Sequence, residues 1–140
     1  MLKDILSISG KPGLYKKIGQ TGRAIIVESL QDGRRSLVHD TAKNISLADI
    51  SLYAEPESVP LQEVFKRISG QENGGAAISH KERESTIINY IEKIVPGYDS
   101  EKVYVSDMKK VLQWYNILLE KNMLPLDKET TDAGEEQTGE

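Results

Sequence analysis

The spacing of apolar residues changes character at Ser69-Gly70-Gln71-Glu72-Asn73-Gly74-Gly75. Before this stretch, short aliphatic and β-branched runs are cut by turn residues. After it, apolar residues recur at helical spacing. The two periods cannot exchange roles without turning buried side chains to solvent. The chain therefore places strands first and helices second, which predicts an α+β fold. Three glycines and four polar residues make the break itself read as a helix stop followed by a flexible linker. The predicted division is a β-barrel-like domain over residues 1–70 with a closing helix at 60–69, a linker at 71–78, a helical domain at 79–126 and a tail at 127–140.

In the first part, Gly10-Lys11-Pro12-Gly13 suits a type II turn, because Gly accepts the positive φ that such a turn needs. Leu14 to Ile18 reads as a strand, Gly19 to Gly22 as a turn, and Ala24 to Leu30 as the clearest strand. Gln31-Asp32-Gly33-Arg34 is a hairpin signal, and Ser36 to His39 is its returning strand. Ser46-Leu47-Ala48-Asp49 carries a capping pattern for one helical turn, followed by Ile50 to Tyr53 alternating as a strand. Short strands with a helical turn before the last one predict a small SH3-like barrel.

Three helices follow. Pro60 suits a helix start, Leu61, Val64, Phe65 and Ile68 form one stripe, and Gly70 is placed to end it. Ser79-His80-Lys81-Glu82 reads as a capping box for a helix with Ile87, Ile88, Ile91, Ile94 and Val95 inside, stopped by Pro96-Gly97. Ser106 or Asp107 would cap the last helix, whose core face is Met108, Val111, Leu112, Tyr115, Leu118 and Leu119. Two helices cannot enclose a core unaided, so the hairpin must pack on the first helix, on the barrel or on a second copy; a homodimer is expected.

The net charge of −4 hides an asymmetry: residues 127–140 hold six acids and one base, leaving the body with 16 acids and 17 bases. The tail has almost no apolar residues and is expected to be disordered. Charge alone selects neither nucleic acid nor membrane as a partner of the near-neutral body. Cysteine is absent, which excludes disulfides, thiolate metal sites and Cys nucleophiles. No apolar run approaches the roughly 18 residues of a membrane span, and no signal-peptide pattern opens the chain. A cytoplasmic protein is expected, with no membrane partner.

Candidate chemistry is sparse. His39 and His80 are far apart in sequence and read as surface residues; no metal, cofactor or catalytic residue is assigned. Gly10-Lys11-Pro12-Gly13 lacks the spacing of a phosphate loop. Lys11, Lys16, Lys17, Arg23, Arg34 and Arg35 fall on turns and strand edges and would track a phosphate backbone if they shared one side. The helical part holds five of the eight aromatics, and Trp114 lies one position off the core stripe. Trp114, Tyr104 and Tyr98 are the candidate protein-contact residues.

The run Met1 to Tyr15, the segments Ile26 to Leu30, Ile45 to Ile50 and Val103 to Lys110, and Trp114-Tyr115-Asn116 together resemble a family of short bacterial proteins of unknown function. The resemblance covers roughly residues 1–122 and implies a small β domain followed by a helical domain in the bacterial cytosol. It carries no activity or catalytic residue. The expected function is a non-catalytic binding or adaptor protein acting through protein–protein contacts. The alternative is an RNA- or DNA-binding module using the basic turns.

Overall fold

The structure, a computed structural model, describes residues 2–39 and 44–124. The expectation of a disordered tail at 127–140 lies outside the described residues. The fold is α+β. Strands β1 (Ile5–Ile8), β2 (Lys11–Thr21), β3 (Ala24–Ser29), β4 (Arg35–His39) and β5 (Asn44–Ser46) form one antiparallel sheet in the order β4-β3-β2-β1-β5. A two-stranded ribbon, β6 (Ser51–Leu52) with β7 (Val59–Pro60), leads into helices α1 (Leu61–Gln71), α2 (Glu84–Ile94) and α3 (Val105–Glu120).

The sheet is not closed: β4 and β5 are its two edges. It is nonetheless strongly bent. His39 is in register with Ala24 and, through it, with Thr21, whereas Asn44 is in register with Ile8 and, through it, with Lys11. Those two ends of β2 would lie about 33 Å apart on a straight strand. Only residues 40–43 connect His39 to Asn44, and so short a segment spans about 18 Å at most. Shifts in register at Leu6/Ile8 and Lys17/Gly19 supply the bends, as β-bulges do.

The sheet buries apolar residues on both faces. On one, Leu6, Ile8, Val27 and Val38 form a small cluster with Tyr15 and Ile25 packed against it. On the other, Ile5 and Leu14 join the buried faces of all three helices in one continuous core. The apolar faces of α2 and α3, which led to the expectation of a homodimer, are thus covered within the chain by the sheet and α1. Phe65 of α1 meets Tyr115 of α3 with ring centroids 5.9 Å apart.

Several local expectations need correction. Pro12 and Gly13 lie inside β2; Gly13 has a positive φ (82°), which favours glycine, and the Gln31 side chain lies where a β-carbon would project. The Ser46 cap is present, its hydroxyl accepting from the Ala48 amide at 3.2 Å, and it starts the 3-10 turn Leu47–Asp49. The strand after that turn does not join the sheet, because Leu52 pairs with Val59 instead. Helix α1 continues through Gly70, and the left-handed pair Asn73 (φ 54°) and Gly74 (φ 83°) follows it. The Ser79 box does not start α2: its hydroxyl accepts from Lys81 in a separate turn, and α2 begins at Glu84.

The stretch expected as a flexible linker is held by the side chains of Tyr90, Tyr115 and Asn116. The Tyr90 hydroxyl donates to Glu72 Oε2 (2.6 Å), and the Tyr115 hydroxyl donates to the Gly75 carbonyl (2.9 Å). Asn116 accepts from the Ala77 amide (2.8 Å) and donates to the Ala77 carbonyl (3.3 Å). Small residues let the backbone lie close to α3, and the amide side chain replaces the ladder partners that this backbone lacks. Replacing Asn116 with Ala strands those backbone groups and is expected to cost about 1–3 kcal/mol in urea unfolding, with lost hydrogen-exchange protection at Ala77. Burial first, and the Glu72 carboxylate second, hold the Tyr90 hydroxyl well above the ordinary tyrosine range. A group raised in this way adds stability that is complete below its unfolded pKa of about 10 and is lost as pH climbs above it. Tyr90→Phe is therefore expected to flatten the alkaline fall in stability, measured as urea midpoints at pH values from about 9 upward through the unfolded tyrosine pKa of about 10.

Candidate functional site

Where the sheet meets α3, the core opens into a groove with two arms that share Ser7, Lys110 and Trp114. The polar arm, about 350 Å³, is walled by Ser9 and Gly10 of the β1–β2 turn, by Lys11 and Gly13 at the start of β2, and by Gln113 of α3. The apolar arm, about 280 Å³, runs between β5, β6 and the start of α3, and is lined by Ile45, Ile50, Leu52, Tyr53, Val103 and Val111.

Local sequence explains the placement. Ser7 is directly opposite Ile45, so both project from one face of the sheet, the same face as Ile5 in the core. Beyond Ile5 the helices no longer cover that face, and Ile45 is left 52% exposed. Leu52 of β6 turns inward, and Tyr53, the next residue, turns outward and is 54% exposed. The Asp99 amide donates to the Tyr53 carbonyl (2.8 Å), and Ala54 bridges to Tyr98, so this segment is tied to the connector before α3. Lys102 on that connector stands 5.2 Å from the Tyr53 ring centroid, a cation–π contact. Asp107 lines the apolar arm, but its carboxylate accepts from the Tyr104 amide (3.0 Å) and caps α3. The groove thus joins apolar surface to a positive rim of Lys11, Lys102 and Lys110.

Trp114 is buried and forms part of the wall shared by both arms. Tyr98 is half-buried, and Tyr104 is 63% exposed at the start of α3. Of the six basic candidates, only Lys11 reaches the groove. Lys16, Glu28 and Arg35 form a row across β2, β3 and β4, with Arg35 3.8 Å from the Glu28 carboxylate. Lys17 is opposite Val27 and so lies on the other face. Arg23 and Arg34 sit in turns at opposite ends of β3, and Arg34 neighbours Asp32 (3.9 Å). The Arg34 amide donates to Asp32 and holds its carboxyl below the usual range. The six bases therefore do not share one track. His39 is exposed and His80 half-exposed. Among the described residues no group of three or more His, Asp or Glu could hold a metal ion, and no helix is long and apolar enough to cross a membrane.

Tyr53, Ile45 and Lys102 have no place among the sequence-derived site residues. Alternation over Ile50 to Tyr53 was a signal for an outward tyrosine; nothing local pairs it with Ile45 or with α3.

Residues 2–47 match the family described as Domain of unknown function (DUF5606), and residues 50–118 match Domain of unknown function (DUF6852). The junction between the matches falls beside the 3-10 turn Leu47–Asp49, ahead of the glycine-rich stretch. No curated protein matches the chain. A protein from Bacteroides vulgatus, solved by solution NMR, is 41% identical to it, with 89% of this chain and 90% of that chain covered and a TM-score of 0.74. At that identity and coverage the chain belongs to the bacterial family of unknown function in which a DUF5606 segment precedes a DUF6852 segment.

Proposed function

We propose that the chain is a non-catalytic binding protein, and that its ligand is a segment of another protein carrying an apolar side chain beside carboxylates. The observation that carries this is the apolar arm of the groove. Ile45 and Tyr53 remain exposed there beside the buried Trp114, and Lys102 and Lys110 flank them. An apolar side chain laid against that surface gains about 25 cal/mol per Å² removed from water. Carboxylates next to it meet the two ammonium groups, which favours acidic partners and speeds encounter. Among the described residues that line the groove there is no histidine, and its one carboxylate, Asp107, caps α3 through the Tyr104 amide, which favours binding over nucleophilic chemistry at Ser7, Ser9 or Ser51. The spread of Lys16, Lys17, Arg23, Arg34 and Arg35 over different faces and turns favours a protein ligand over a nucleic-acid backbone.

The scaffold for this surface is, in the same proposal, a small SH3-like barrel. The strand order, the bulged β2, the short span from His39 to Asn44 and the separate inner cluster of Leu6, Ile8, Val27 and Val38 support it. A rigid wall of this kind would keep Ile45 and Trp114 at a constant separation.

Short synthetic peptides that pair Leu or Phe with Asp or Glu, titrated into the full chain, test the proposal through backbone amide shifts. Saturable shifts are expected at Ile45, Tyr53 and Lys110. Tyr53→Ala is expected to weaken binding about tenfold while leaving thermal stability unchanged, since the ring is mostly outside the core. A single-stranded RNA titrated in parallel supplies the opposing result. Salt-steep RNA binding that is abolished by Lys16→Glu with Arg34→Glu, together with no peptide-induced shift in the groove, overturns the proposal in favour of the nucleic-acid alternative.

A further inference from the structure

The polar arm of the groove and the acidic segment after α3 are complementary in charge and close in the chain. Lys11 and Lys110 line the arm from opposite walls, and none of its described lining residues is acidic. Neither lysine forms a salt bridge among the described residues. The end of α3 lies beside this arm. Lys121 donates to the Gln31 carbonyl at 3.4 Å, and the Gln31 side chain lies over Gly13, which lines the arm. Sixteen residues follow Leu124, and those from Asp127 to Glu136 hold five carboxylates and one lysine. Lys110 and Lys121 are about 16 Å apart along the helix at ~1.5 Å per residue. The remaining chain reaches about three times that distance when extended.

We propose that the acidic segment Asp127–Glu136 of this same chain occupies the polar arm, its carboxylates facing Lys11 and Lys110. Tethering sustains contacts that are weak one by one, because a short covalent link holds the segment at an effective concentration of order millimolar. The segment suits the polar arm and not the apolar one, since Ala133 is its only aliphatic residue. Lys110 belongs to both arms. A segment seated on it therefore competes with an acidic ligand in the apolar arm; this consequence, unlike the contact itself, rests on the function proposed above.

The contact is testable without any partner. The probe is the full chain compared with a full-length variant carrying Asp127→Asn, Glu129→Gln, Asp132→Asn, Glu135→Gln and Glu136→Gln. Backbone amide spectra and the emission of Trp114, the one tryptophan, report on the arm. At low ionic strength the two chains are expected to differ at residues 9–13, Gln113 and Trp114, and the differences should vanish in molar salt, where charges are screened beyond about 3 Å. Lys11→Glu with Lys110→Glu in the natural chain is expected to remove the salt response as the neutralised segment does. Superimposable spectra at low ionic strength overturn the proposal. So do differences confined to the Lys16 and Arg35 row, which would mean that the segment lies on the sheet instead.

Discussion

Helix α3 must bury more of its circumference than a two-helix hairpin can cover. Met108, Val111, Leu112, Trp114, Tyr115, Ile117 and Leu118 are all buried, spanning well over half of the helix surface. One side of that surface faces α1 and α2, and the other faces Ile5 and Leu14 on the sheet. The two halves of the chain are therefore bound by one apolar core, and neither can release α3 without exposing it. The polar tethers follow from this arrangement. Tyr115 and Asn116, at adjacent positions on the same helix, bond to the backbone that connects α1 to α2. The glycine-rich connection thus becomes part of the packed body.

The groove is where that core runs out. Short β5 and β6 leave apolar side chains at the mouth. Filling the mouth with larger core residues would have closed it. Instead the lining mixes Ile45 and Tyr53 with lysines, whose long apolar stems cover hydrocarbon while their charged ends remain in water. Such a surface is stable in solution and still leaves area for a ligand to cover.

Much of the element order was legible from spacing alone. The stripe Leu61, Val64, Phe65 and Ile68 is fully buried in α1, and the six-residue face assigned to the last helix is buried except for the half-buried Leu119. Glycines misled where their role was decided at a distance. Gly13 looks like part of a local turn, yet it lies inside β2 with the Gln31 side chain packed over it. Gly74 and Gly75 look like linker residues, yet the Tyr115 hydroxyl holds the second of them. Ser79 offers a capping hydroxyl, but its bond to Lys81 closes a turn four residues too early for the helix. Of the candidate site, Trp114 and Lys11 were identifiable as residues of interest; that they border the same groove was not.

The sequence by itself determined the α+β order, the helical stripes, the absence of thiol chemistry and the separation of acidic charge from a neutral body. These depend on residue type and on periodicity within one element, which are local. Only the tertiary structure decided that sheet and helices share a core, that the connection between α1 and α2 is held, and that Ile45, Tyr53, Lys102, Lys110 and Trp114 border one groove. Each of those depends on register between strands and on the bend of β2, which bring together residues tens of positions apart. No local pattern encodes such distances, because they are set by how the whole core closes.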